Sequence, residues 1–429
     1  MSGTMQDAIP RSTAQIRVRI HSLRTYLYYS TLLGVFSNAF RIDVPFSIRL
    51  FDGIMLTNLC LMFLCRFIKF DRIVSWVIWF ILYLAVSGCI GIVRGVDTIS
   101  WFSKEFLGIS VSLLYYYYFF KLIKNDFERA FLTYARIAYW FAIIAFPLFV
   151  ASCIEAHGYT RLKGIASEPA AFCELVLPAY YWYARSYFMT RKNGREFVVF
   201  TLAVVLSGSS IGFLCSTFGV LLLLSGRIKH LLAVPVVVGG LLGVIYTSSS
   251  EFKMRVDDTL QAATALDVSG VNLSTYVLIS NALVAERVLK ESPIIGNGLG
   301  SHPVSHSRFI GSTPGAEYFI TSGIGDMNAQ DAGSLSFRVL SEFGLLGYFG
   351  VIFFIFHFHV GGISTNAAIS NALLTAFFLK LIRGGIYFTP EQFLFVFIYL
   401  LNHQQFMLRR QEIVQSIPMK TTTTRVFEN

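Results

Sequence analysis

The sequence predicts an all-α, polytopic membrane protein of about twelve transmembrane helices with one long loop on a single face of the membrane. Two observations carry this. Of 429 residues, 55% are hydrophobic and only 14% are charged, with a mean hydropathy of +0.60, where soluble domains carry roughly 25% charge. Apolar runs of about 18 residues or more recur along the chain, each long enough to cross a hydrocarbon core of roughly 30 Å. Backbone polar groups must be satisfied within lipid, which leaves helices or a closed barrel. The runs are continuous rather than alternating, and that excludes the barrel.

Basic residues set the expected direction of each crossing, because cytoplasmic connections accumulate Lys and Arg. The net charge of +10, from 35 Lys and Arg against 25 Asp and Glu, is therefore read as orientation and not as nucleic-acid binding. Arg11, Arg17, Arg19 and Arg24 lie in a cytoplasmic segment, 1–24, ahead of the first span at 26–40. Those first residues are polar and basic, unlike a cleavable signal peptide. A second span at 49–67 returns to a turn bearing Arg66, Lys69 and Arg72, and a third at 73–93 exits to 94–104. The fourth, 105–120, returns to Lys121 and Lys124; the fifth, 130–154, exits to a loop ending in Arg161 to Pro169. The sixth, 170–187, returns to Arg191, Lys192 and Arg195.

Both ends of 197–224 are basic, so a single crossing breaks the alternation; two short tilted spans turning at Ser207-Gly-Ser-Ser210 keep it. A ninth span at 231–246 completes the first membrane block, 25–246, and leads to the long outer loop, 247–342. Spans at 343–360, 367–381 and 393–407 form the second block, 343–408, before a cytoplasmic tail, 409–429, opened by Arg409 and Arg410. Both termini are thus expected in the cytoplasm. The outer loop holds ten acids against six bases, as the same rule expects. The six cysteines lie in or beside apolar runs and read as small packing residues; Cys153 and Cys173 sit near one membrane face and could pair.

A loop of this length is usually functional or disordered. Apolar residues at Leu273, Tyr276, Val277, Val284 and Val288 have helical spacing and predict a helix lying over the membrane face. The run Glu291-Ser-Pro-Ile-Ile-Gly-Asn-Gly-Leu-Gly300 then stops it and makes a glycine-spaced turn that could offer backbone N–H groups to a phosphate. It lacks the strand, helix and lysine of a nucleotide-binding loop.

That run, followed by Ser334-Leu-Ser-Phe-Arg-Val-Leu-Ser-Glu-Phe-Gly-Leu-Leu-Gly347 at the start of a span, resembles the O-antigen polymerase and ligase superfamily. So does Arg161-Leu-Lys-Gly-Ile-Ala-Ser-Glu-Pro169 at the outer entrance of the sixth span. The likeness covers motifs from about residue 160 onward and the whole chain in topology. Within the superfamily the chain looks more like the Wzy-type polymerases, with xanthan-type exopolysaccharide polymerases the nearest comparison. The ligases would be expected to carry an Arg near Thr275 and a His-Asn pair near Gly333 and Ser334, and neither is present.

The resemblance implies a GT-C-like membrane glycosyltransferase in the bacterial inner membrane, working at the periplasmic face. It would transfer a growing glycan from undecaprenyl pyrophosphate to a hydroxyl of another lipid-linked repeat unit. A chain-length-regulating co-polymerase is the expected protein partner, and no metal or cofactor is required. Such a reaction needs cations for the leaving pyrophosphate, and Arg suits phosphate oxygens best. Candidates are Arg161, Lys163, Arg308, Arg338 and Arg383. Arg383 stands at the outer end of a span, against the positive-inside bias. Arg338 and Glu342 could equally be an i,i+4 ion pair, and Arg161 and Lys163 interfacial anchors.

Candidates for activating the acceptor hydroxyl are Glu168, Asp326, Asp331, His302 and His306. Glu168-Pro169 also reads as an ordinary helix start. Two histidines four apart could bind a metal on a helix, but Pro303 argues against a helix there. Asp326 and Asp331 read equally as ordinary loop acids. The run Tyr115 to Tyr118 is read as packing or lipid-facing. Rival readings are an O-antigen ligase, a non-enzymatic lipid-linked oligosaccharide flippase or transporter, and a cell-wall glycan polymerase of another family. A transporter would be expected to show repeated halves and ionisable residues at mid-membrane, whereas most charge here lies at span ends.

Overall fold

The computed structural model describes residues 11–37, 40–44, 46–68, 75–224 and 250–416, with isolated positions between 240 and 247. The predicted ninth span, 231–246, apart from those isolated positions, and the ends 1–10 and 417–429 fall outside the described residues. The regular structure described is helical, apart from a short antiparallel ribbon of β1 (Arg41–Val44) and β2 (Phe46–Arg49).

Ahead of the long loop lie α1 (Arg11–Gly34), α2 (Leu50–Leu64), α3 (Ser75–Val93), α4 (Ile99–Leu122), α5 (Phe127–Glu155), α6 (Pro169–Thr190), α7 (Gly194–Ser207) and α8 (Ser210–Leu224). The long loop folds as α9 (Ser250–Ala265), α10 (Leu273–Glu291), α11 (His302–Phe309) and α12 (Glu317–Thr321). The chain then runs through α13 (Leu335–His357), α14 (Thr365–Ile382) and α15 (Pro390–Ser416). Among the described residues, four helices are long and apolar enough to cross a membrane: Trp76–Val93, Phe127–Glu155, Leu335–His357 and Thr365–Ile382. The apolar helices Leu50–Leu64 and Ser210–Leu223 are shorter.

Local chemistry sets the boundaries. Thr98, Asp126 and Ser364 accept from the backbone N–H groups of Trp101, Arg129 and Ala367, capping α4, α5 and α14. Pro169 occupies the first turn of α6, where its missing N–H costs nothing. The break between α7 and α8 falls at Gly208 in a left-handed conformation, inside the Ser207–Ser210 turn. These two helices have 14 and 15 residues. That is about 21–23 Å at 1.5 Å per residue, short of a roughly 30 Å core.

Helix α6 lies at the centre, packed on α14, α7, α5 and α8. Around it the core is aromatic. Tyr115 to Tyr118 are all buried, so the run packs inward. Phenols satisfy themselves on backbone: Tyr116 donates to Pro390 O at 2.6 Å and Tyr134 to Leu175 O at 2.6 Å. All six cysteines are free. Cys173 lies against the Ser207 hydroxyl and Cys153 against Thr160, so those two cysteines do not pair.

The loop has a small core of its own, including Val268, Tyr276, Val277, Leu283, Ile310 and Phe319. Tyr276 stacks on Phe319 with ring centroids 3.9 Å apart. Helix α10 therefore buries its apolar face against loop elements and α13. Pro303 does not prevent a helix at His302: it sits in the first turn of α11, where proline is tolerated.

Helix α13 starts at Leu335, so the span expected from residue 343 is only its second half. The helix breaks at Gly344 (φ 63°, ψ −158°), and the glycine turn 293–298 docks into the break. Asn297 and Gly298 N–H donate to the carbonyls of Ser341 and Glu342 at 3.0 and 2.8 Å. In return Leu345 and Leu346 N–H donate to Pro293 O and Ile294 O at 2.9 and 3.0 Å. The Asn297 and Gly298 N–H groups, expected to be offered to a phosphate, are consumed in this docking, because a broken helix frees carbonyls that need donors. That of Gly296 bonds within the turn to Ser292 O.

Candidate functional site

One end of the bundle gathers every connection predicted to lie on the outer face. Arg49 reaches Phe388 O at 3.3 Å, joining the α1–α2 connection to the α14–α15 connection. Arg94, after α3, donates to Ser292 Oγ and Gly296 O at 3.2 and 3.0 Å. Leu162 N–H donates to Leu206 O, tying the α5–α6 loop to the α7–α8 turn. Gly384 N–H donates to Gly333 O at 2.8 Å. At the opposite end, Arg185 donates to the Ile363 and Ser364 carbonyls.

Two buried charge clusters lie beneath these connections. In the first, Arg338 from α13 is 1% exposed and sits 3.0 Å from Glu342 and 2.9 Å from Glu105 of α4. Its Nη1 donates to Gly385 O at 3.0 Å, and its guanidinium lies 4.2 Å from the centre of the Tyr387 ring. Asp97, in the α3–α4 connection, is also buried; Thr98 N–H donates to its Oδ1. Burial, opposed by that hydrogen bond and reinforced by Glu342 and Glu105, pushes its carboxyl up to about 7.

The second cluster centres on Lys380 of α14. Its ammonium donates to Glu174 of α6 at 2.7 Å and to Thr389 Oγ1 at 3.0 Å, and lies 3.7 Å from Glu391. The α14–α15 connection joins the clusters, since Gly385 and Tyr387 serve Arg338 while Thr389 and Glu391 serve Lys380. Above the second cluster, Arg383 faces Glu168 at 3.8 Å, with side chains 23% and 51% exposed. Asp331 is nearby: a β-carbon on Gly385 would strike its carbonyl oxygen.

The expected site residues divide accordingly. Glu168 and Arg383 face each other at the open rim, and the Asp331 backbone lies against Gly385 in the segment that follows Arg383. Arg338 is beneath the rim, ion-paired with two carboxylates and bonded to a carbonyl, as the ion-pair alternative has it. Arg161 donates to the carbonyls of Ser207 and Gly208 at 3.1 and 2.8 Å, capping α7. Lys163 is exposed beside Ser167 O at 3.5 Å. Arg308 makes a two-pronged pair with Glu291 at 2.8 and 2.9 Å on the exposed side of the loop.

His302 is internal to the loop. Asn281 Nδ2 donates to Val277 O, so Asn281 Oδ1 accepts from His302 Nε2 at 3.0 Å, and Nδ1 accepts from Ser341 Oγ at 3.1 Å. This assigns a neutral ring; burial, then His306 and Arg338, hold its pKa well below the usual histidine value. His306 is buried too, its ring nitrogens without hydrogen-bond partners and Nδ1 3.8 Å from exposed Asp326. Burial lowers its pKa, partly offset by Asp326. Among the described residues no group of three or more His, Cys, Asp or Glu could hold a metal ion.

The residues that sequence reading missed are Glu105, Glu174, Lys380, Tyr387 and Glu391. Glu174 and Lys380 did carry a signal, as ionisable residues inside predicted spans. No protein-family model, curated protein or solved structure matches the chain.

Proposed function

We propose that the chain is a Wzy-type polysaccharide polymerase of exopolysaccharide or O-antigen synthesis. In this reading it is a membrane glycosyltransferase with about twelve spans and a GT-C-like fold, embedded in a bacterial inner membrane with both termini cytoplasmic. The observation that supports it is convergence. The three motifs that resemble the superfamily, together with Arg383, join into one hydrogen-bonded and ion-paired patch. Glu168 of the first meets Arg383; the second docks into the third through residues 297 and 298; the third reaches the Arg383 segment through Arg338 and Gly385.

The donor is an undecaprenyl-pyrophosphate-linked glycan at the periplasmic face and the acceptor a second lipid-linked repeat unit. Arg383, the cation open at the rim, bears the charge that develops on the leaving pyrophosphate, assisted by Lys163. Arg161 and Arg338 act as positioning residues, because their N–H groups already serve protein oxygens. The loop subdomain, fastened to α13, shapes the sugar site, and the protein partner is a chain-length-regulating co-polymerase.

Purified protein in lipid nanodiscs, given synthetic polyprenyl-pyrophosphate-linked oligosaccharides, is expected to produce a ladder of longer glycans. Single addition to a lipid A core acceptor with no ladder would favour a ligase. A second reading has one observation in its favour: Lys380, Glu174 and Glu391 form a buried ion cluster within the helices, as ion-coupled carriers use. Movement of the lipid-linked glycan across a vesicle membrane, without a ladder, would select that reading.

A further inference from the structure

We propose that Glu174 accepts the proton of the acceptor hydroxyl, with Lys380 and Glu391 as positioning residues; the assignment rests on the polymerase reading above. Its Oε1 is fixed by the Lys380 ammonium at 2.7 Å. The Glu174 side chain retains 14% exposure, whereas Lys380 and Glu391 retain 5% and 3%. It is the most exposed of the three charged members of the cluster. Gly384 lies against it: a β-carbon there would be in van der Waals contact, 3.7 Å from both Glu174 Oε2 and Lys380 Nζ, and the backbone has φ +93°. Gly384 follows Arg383, so the dipeptide that presents the rim cation also lies over the carboxylate.

The three carboxylates named from sequence are less suited: Asp326 is exposed on the loop beside His306. Glu168 is half exposed and faces Arg383. Asp331 Oδ1 accepts from Asn328 Nδ2 and Gly333 N–H at 3.0 and 3.1 Å, which fixes a turn. Glu174 combines a desolvated setting, a rigid partner and an open edge, the conditions for an oriented general base.

In the step, the acceptor O–H proton passes to Glu174 Oε2 and the hydroxyl oxygen bonds to the anomeric carbon of the donor. The bond from that carbon to the pyrophosphate oxygen breaks, and its electron pair leaves with undecaprenyl pyrophosphate beside Arg383. Glu174 then returns its proton to water at the rim. Direct displacement inverts the anomeric centre.

The test uses full-length protein and the ladder assay. Glu174→Gln is expected to slow elongation by a factor on the order of 10² to 10⁴ while the protein still binds the lipid-linked oligosaccharide. Glu174→Ala is expected to regain elongation with added formate, a small carboxylate that a structural role has no use for. Because a lone substitution leaves Lys380 without its closest partner, and removing Lys380 as well would strand buried Glu391, the triple variant Glu174→Gln, Lys380→Met, Glu391→Gln serves as the neutral counterpart and is expected to be equally slow. Wild-type elongation in either Gln variant, or Glu174→Ala unresponsive to formate while still folded and binding substrate, overturns the assignment. Wild-type protein that makes no ladder removes the polymerase reading, and this assignment with it.

Discussion

Gly296 and Gly344 meet backbone to backbone: a β-carbon on Gly296 would lie 2.6 Å from the Gly344 amide nitrogen, and one on Gly344 2.7 Å from that of Gly296. The contact lets the loop enter the break in α13, and four backbone hydrogen bonds across it leave Ser341, Glu342, Leu345 and Leu346 satisfied. The loop subdomain is thereby fastened to the helix that carries Arg338.

Substituting Gly344 by Ala is expected to destabilise the protein by about 1–3 kcal/mol from backbone conformation alone, since its dihedral region is essentially restricted to glycine. The clash with residues 294–296 adds to that. Gly296→Ala acts on the same joint from the other side. Thermal unfolding in detergent checks both, and unchanged midpoints would show that the joint does not hold the loop.

Arg338→Met leaves Glu105 and Glu342 buried without their cation, at an expected cost of about 3–5 kcal/mol. Arg338→Lys recovers little, because an ammonium cannot span two carboxylates and the Gly385 carbonyl with a planar fork. Neutralising the acids as well, in Arg338→Met, Glu105→Gln, Glu342→Gln, is expected to restore most of the stability. A single Met variant as stable as wild type would mean the cluster is not held by charge pairing.

Acid and histidine titrations oppose each other here. His302 is held neutral in the fold, so below its unfolded value of about 6.5 only the unfolded state gains the proton, and stability falls with pH. Asp97 runs the other way: its pKa is near 7 folded against 3.8 unfolded, so its contribution favours the fold at low pH and is lost as pH rises to 7. Asp97→Asn is expected to steepen acid destabilisation between about pH 4 and 6.5, and His302→Gln to flatten it. Unfolding midpoints across that range decide it; an Asn variant with the wild-type slope would contradict the burial of Asp97.

Arg161→Ala removes two charged donors from the end of α7. A hydrogen bond to a charged group contributes about 1.5–3 kcal/mol, so a loss of that order is expected in unfolding experiments. Loss of elongation with stability intact would instead point to a phosphate contact at Arg161.

Periodicity and charge located the helices well. The α7–α8 turn at Ser207–Ser210 was legible because a single crossing would have violated the charge alternation, and α10 because its apolar residues repeat at helical spacing. The site was only half legible. Glu168 and Arg383 stood out at predicted span ends and Asp331 as an acid of the long loop, but Glu174 and Lys380 looked like isolated charges inside apolar runs. Their pairing spans 206 residues, and no local pattern records which helices pack together. For the same reason the glycine turn read as a set of free N–H groups: the carbonyls it serves arise only from the break at Gly344.

The most direct test of the central claim, that the rim at Arg383 is the pyrophosphate site of a polymerase, is elongation by Arg383→Gln alongside wild type and the surface variant Lys290→Gln. Ladders from wild type and Lys290→Gln, with a loss of at least about 10²-fold in Arg383→Gln at unchanged stability, are the predicted result. Equal ladders from all three proteins would contradict it.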